Sequence, residues 1–258
     1  MNAIQIIAAV LILLFALGWL GLKLKPAPFP VFNGQRPALK SMPLPVGLPA
    51  PVERFYRIRY GEEILVITSA ILTGHGRMAP FGVSFPMRFR FLYEVGKDYR
   101  ARLEATFFRR TVMAGDETYI DGRAYGKLTT GTNEGAWFDE AMNVRVWTEI
   151  LTWFPAALLS DPRVAWEPVD EVTAVLVVPF GEKRQKVVVR FDPESGKIQY
   201  VEVMKYRDAD HKVLWINAVW FDQGKPWIRM EVDEIVYNVD VSEEIRSAPS
   251  QESFIIPT

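Results

Sequence analysis

The residues most able to do chemistry in this chain are two histidines and a few acidic clusters. His211 follows Asp208 and Asp210, and two carboxylates with an imidazole could hold a divalent cation. The same residues at a hairpin tip also read as an ordinary solvated turn. His75 lies between Gly74 and Gly76, in a stretch expected to be a loop. Asp116, Glu117 and Asp121 lie close enough in sequence to act as paired carboxylates, but they flank a short expected strand, where acids commonly face solvent. There is no cysteine, which removes thiolate catalysis, disulfides and thiolate metal sites. There is no Gly-x-Ser-x-Gly elbow. Gly122, Gly126, Gly131 and Gly135 are scattered, and none opens a helix in the way a phosphate loop requires. With no nucleophile, base and oxyanion donor in one place, the expectation is a protein that is not an enzyme and has no cofactor or metal.

The elements around these residues are mostly strands. In 83–95, Phe85, Met87, Phe89, Phe91, Tyr93 and Val95 share one face, and Ser84, Arg88, Arg90 and Glu94 share the other. That alternation describes a half-buried antiparallel strand, and Gly96-Lys97-Asp98 turns it into a second strand over 99–107. Further strands are expected at 110–114, 117–121, 123–129, 172–178, 185–191, 197–206, 213–221 and 226–241. A phase slip near Asp233-Glu234 marks a bulge. The sum is mainly β: a large curved antiparallel sheet, a half-barrel of nine or ten strands, over residues 52–242, with a tail at 243–258 that ends in the apolar Phe254-Ile255-Ile256-Pro257. Arg88, Arg90, Arg100, Arg102, Arg109 and Arg110 form either a basic strip for anionic lipid headgroups or one half of cross-strand ion pairs with acids such as Glu94 and Glu104. A net charge of −1 offers nothing to nucleic acid.

Two segments break the strand pattern. Residues 3–22 carry no charge and are long enough to cross a bilayer, so 1–25 reads as a single transmembrane anchor. A cleaved signal peptide would want a basic start, which is missing; Ala16-Leu17-Gly18 is a weak cleavage site. Lys23, Lys25, Arg36 and Lys40 follow the span, and this basic flank favours a cytoplasmic domain. Residues 26–51 hold eight prolines and read as a semi-rigid spacer. The second exception is a helix over 139–158, with Asp139 as a candidate cap and a break at Pro155. Its stripe of Met142, Val146, Trp147, Ile150, Leu151, Phe154 and Leu158 should cover the sheet, with Arg145, Glu149 and Thr152 on the opposite side.

"WFPAALLSDPRVAWEPVD" (153–170) and "VVVRFDPESGKIQYVEVMKYR" (187–207) resemble a family of uncharacterised prokaryotic proteins, as do "LPAPVERFYR" (48–57) and "YIDGRAYGKL" (119–128). The family's signature is Trp-Phe-Pro-x-Ala-Leu-Leu followed by Val-x-Trp-Glu. The likeness spans most of 44–240 and brings no catalytic residue with it. A run of twisted strands around one helix is similar to the lipoprotein-carrier fold, in which a half-open barrel holds acyl chains under a helical lid. That likeness implies an extracytoplasmic domain, against the charge rule, so the side of the membrane stays open. It also implies a hydrophobic ligand cavity, for which the candidate lining residues are Phe85, Phe89, Phe91, Trp147, Ile150, Phe154 and Leu158. Two functions are therefore expected: a bilayer-anchored module binding a lipid or other hydrophobic ligand, or an accessory subunit contacting other membrane-complex proteins.

Overall fold

A computed structural model describes residues 2–80, 82–206, 208–218 and 228–248. The ends of two expected strands (219–221 and 226–227), Arg207 and the tail from 249 onward lie outside the described residues. The mainly β, antiparallel architecture is present, as is the apolar N-terminal helix α1 (Ala3–Gly21). A short strand β1 (Ser41–Pro43) precedes helix α2 (Ala50–Tyr60), which starts at Pro49-Ala50-Pro51, where a missing N–H costs nothing. β1 pairs with β2 (Glu63–Leu65).

The remaining strands divide into two sheets, where the sequence suggested one. β3 (Ser69–Met78), β4 (Phe85–Glu94), β5 (Asp98–Phe107), β6 (Arg110–Ile120), β7 (Arg123–Leu128) and β8 (Gly131–Glu134) run up and down in order. After the helices α3 (Ala136–Trp153) and α4 (Ala156–Ser160), a second meander follows. It comprises β9 (Ala165–Pro168), β10 (Thr173–Phe180), β11 (Lys183–Phe191), β12 (Ile198–Tyr206) and β13 (Lys212–Ala218). The chain then returns to the first sheet as β14 (Ile228–Tyr237), paired with β3, and ends in the short helix α5 (Ser242–Arg246). Among the described residues β14 and β8 are the two edges of the first sheet, so it is not closed into a barrel.

Several local expectations are corrected. His75 lies within strand β3, because Gly74 lets the backbone of β14 and the Phe89 ring approach where a Cβ would collide. Gly115-Asp116 does not interrupt a strand: β6 runs through both. The bulge is where the phase slip placed it, between Val232 and Glu234. α3 starts after Gly135, and Asp139, instead of capping it, accepts from the backbone N–H of Ala124 at 2.6 Å and from Arg123 at 3.0 Å.

α3 lies between the sheets, against β6, β7 and β8 of the first and β10 and β12 of the second. From Trp137 to Trp153 every residue of it is buried or half-buried, so the apolar stripe belongs to a helix with no exposed face. One core cluster joins α2, α3, α4 and the inner faces of both sheets. A smaller one on the outer face of the first sheet gathers Ile71, Leu92, Val236, Val239, Val241 and Ile245, with Phe32 packed against it.

Candidate functional site

Six of the seven side chains expected to line a ligand cavity are core. Phe89, Phe91, Ile150 and Phe154 are 0% exposed, Leu158 1% and Trp147 3%. All six belong to the one packed cluster. Phe154 meets Tyr93 edge-on at 5.0 Å and Tyr237 at 6.1 Å, and the Tyr56 hydroxyl donates to the Pro155 carbonyl at 2.9 Å. The proline-broken corner between α3 and α4 is therefore clamped by α2, β4 and β14. Phe85 is not brought to this group: it lies half-buried at the other end of β4, opposite Met78.

Beneath α3 the structure assembles a charged group that the sequence did not single out. Arg145 and Glu149, one turn apart, pair at 2.8 Å, and Arg145 also pairs with Glu117 of β6. The Glu149 carboxylate accepts from the hydroxyls of Tyr93 at 2.7 Å and Tyr99 at 2.8 Å, both fully buried. The Arg145 guanidinium lies 5.8 Å from the Phe91 ring and 5.9 Å from the Tyr99 ring. Burial holds both phenols well above their usual pKa range, with Glu149 pushing the same way, so they remain donors. Lys205 of β12 is half-buried close enough to feel these charges; burial and then Arg145 pull its ammonium down to about 8. The available signal was parity, since Lys205 continues the inward face of Val201 and Val203 and so enters the interior. A second polar bridge crosses the core: Tyr119 donates to Asn143 at 3.1 Å, and Asn143 donates to the Pro179 carbonyl at 3.0 Å and to Gln185. These groups are mutually satisfied, and their chemistry is that of a fixed polar lattice joining α3 to both sheets.

The three clustered carboxylates do not converge. Asp116 faces outward and is bound by Arg100 at 2.6 Å and Arg102 at 3.3 Å, Glu117 faces inward to Arg145, and Asp121 at the β6–β7 turn pairs with Arg246 at 3.0 Å. His211 and Asp208 form a turn closed at 2.6 Å, with the N–H groups of Asp210 and His211 also donating to Asp208. His75 contacts Asp233 at 2.9 Å across β14. Among the described residues no three such ligands gather as a metal group.

Four of the six arginines of the expected basic strip are paired: Arg88 with Glu104 at 2.7 Å, Arg90 with Glu244 at 2.8 Å, and Arg100 and Arg102 with Asp116. Glu94 pairs with Lys97 instead of an arginine. Arg109 and Arg110 are exposed and have no ion pair among the described residues.

The N-terminal segment is built onto the domain. α1 is exposed along its length, apart from half-buried Gly18, until Gly21, whose carbonyl accepts from the Phe108 N–H at 3.2 Å. Gly21 sits so close to the Phe107 and Phe108 rings that a Cβ would strike them. Arg77 donates to the Leu22 carbonyl at 3.1 Å, and Arg88 donates to the Ala27 carbonyl at 2.9 Å while lying over the Phe29 ring. Phe32 then covers the outer cluster, Arg36 pairs with Glu234, and Val66 donates to the Lys40 carbonyl at 2.9 Å. Residues 27–40 of the proline-rich segment expected as a spacer are thus a strap along the outer face of the first sheet, and 41–51 form β1 and the start of α2.

No curated protein matches the chain. A family of unknown function, DUF6544, matches residues 39–229, beginning at β1 and leaving out α1 and the strap up to residue 38. That match covers most of the chain, which therefore belongs to the DUF6544 family.

Proposed function

We propose that the chain is a membrane-anchored, non-enzymatic module that holds its β domain against the bilayer and works through protein contacts there, as an accessory subunit of a membrane complex. The observation that carries this reading is the join at Gly21. An apolar helix, exposed on all sides, is welded by backbone and side-chain contacts to the domain it would anchor. The basic flank of the exit favours a cytoplasmic domain.

A second reading, a lipid or other hydrophobic ligand held in the curve of the first sheet under α3, draws support from the lipoprotein-carrier likeness. It requires α3 to lift, because the six buried candidate side chains already fill that space. Extraction of the full chain in mild detergent, followed by native mass spectrometry, separates the two. The accessory reading expects other polypeptides to co-purify and the isolated chain to have its bare mass. A lone chain carrying one acyl-chain lipid per copy would replace it with the ligand reading.

A further inference from the structure

We infer that the end of the first sheet nearest α1, the β5–β6 hairpin tip Phe107-Phe108-Arg109-Arg110 together with Val83 of the neighbouring β3–β4 hairpin, is a surface that rests on the bilayer and engages anionic lipid headgroups. This deepens the anchored-module reading and depends on α1 being a span. Three observations carry it.

The first is position. The Phe108 N–H bonds the last carbonyl of α1, so this tip lies at the depth where a spanning helix leaves the hydrocarbon. Arg77, bound to the Leu22 carbonyl, fixes the end of β3 at the same level. Trp19, with the Lys23 ammonium over its ring at 5.2 Å, places an aromatic and a cation there too, the usual pairing at a membrane interface.

The second is composition. Phe108 is 39% exposed, Val112 40% and Val83 47%, and beside them Arg109 and Arg110 are solvent-facing without an ion pair among the described residues. Apolar tips flanked by unpaired arginines suit an interface that is apolar below and anionic above.

The third is backbone conformation. Phe108 and Arg109 both have positive φ, 49° and 64°, in a two-residue hairpin turn. The next hairpin makes the same kind of turn with Asp121-Gly122, at 50° and 78°, residues that tolerate it. A phenylalanine and an arginine in that conformation cost of order 1 kcal/mol each, and a strained pair at an exposed tip points to side chains needed there.

The absence of cysteine allows a direct test on the full chain in phospholipid nanodiscs. Nitroxide labels are placed singly at Leu11→Cys, Phe108→Cys, Val83→Cys and Lys97→Cys, and each label's accessibility to oxygen and to a water-soluble nickel chelate is measured. Lys97 sits at the opposite end of β5, roughly 30 Å from the tip at about 3.4 Å per residue. The expected order of immersion is Leu11 deepest, Phe108 and Val83 intermediate, and Lys97 in water. In discs of mixed phosphatidylcholine and phosphatidylglycerol, Arg109→Glu with Arg110→Glu should move the Phe108 label toward water. An arginine near an anionic surface is worth roughly fivefold in partitioning, and in phosphatidylcholine alone the double change should do little. Phe108 and Val83 labels as wet as Lys97, with Leu11 deep, would overturn the surface while leaving the anchor. A Leu11 label in water would overturn both.

Discussion

Arg100 carries its charge to a site where it is 1% exposed, and it is held there by a bidentate bond to Asp116 at 2.8 and 2.6 Å. Its remaining nitrogen donates to the Glu244 and Ser247 carbonyls, so the same side chain binds the end of α5 to the sheet. Asp116→Ala would leave a buried guanidinium half-paired, and a loss of about 3–5 kcal/mol is expected in urea unfolding of the detergent-solubilised chain. Arg100→Met with Asp116→Leu should recover about half of that, because no charge is then stranded. Lys205 has the opposite character. Its ammonium falls from an ordinary 10.5 to about 8, so below pH 8 the cost of burying the charge is fully present. As pH rises from 8 toward 10 the unfolded chain holds more protons than the folded one, and stability should rise by roughly 1–2 kcal/mol. Above pH 10 the slope should reverse, because Tyr93, Tyr99 and Tyr119 are held above their usual range in the folded chain, Tyr119 at about 12. Lys205→Met should flatten the rise and leave the fall, as read by chemical unfolding across that pH range.

At the scale of elements, α3 and its corner with α4 decide whether the interior is full. Phe154→Ala in a packed core should cost about 3–5 kcal/mol, while truncation of a residue lining a hollow site should cost far less. Thermal unfolding of the variant against the parent chain distinguishes these. The helix was legible from three- and four-residue spacing, and its break from Pro155. Its polar side was not, because Arg145 and Glu149 at one-turn spacing look like any solvated pair. Only the placement of Tyr93, Tyr99 and Glu117 on the facing strands shows that they are internal. The strap was misjudged for a related reason. Proline fixes an extended backbone, and extended backbone serves equally as a spacer or as a cover. Phe29 and Phe32, which commit it to the sheet, are short-range neutral residues whose partners lie far along the chain.

For the whole molecule, the shared core makes the two sheets one unit. The main hydrophobic cluster takes residues from both, and the Tyr119–Asn143–Pro179 bridge ties them through α3. Unfolding followed by far-ultraviolet circular dichroism and by tryptophan fluorescence should therefore give coincident single transitions. Separate midpoints would mean that the second sheet folds on its own.

What the amino-acid sequence determined by itself was local and periodic: a charge-free apolar N-terminal helix, strands with two-residue alternation, the bulge near Asp233, and a helix that stops at a proline. These follow from backbone geometry and solvent preference acting over a few residues. The tertiary structure decided the division into two sheets, the return of β14 to β3, the pairing of Arg88, Arg90, Arg100 and Arg102 by acids of β5, α5 and β6, the burial of six of the seven candidate lining residues, and the weld of Gly21 to Phe108. Each of these depends on which distant segments share a surface. No residue encodes that choice alone, because it is made by the summed burial and pairing of groups that meet only once the chain has folded.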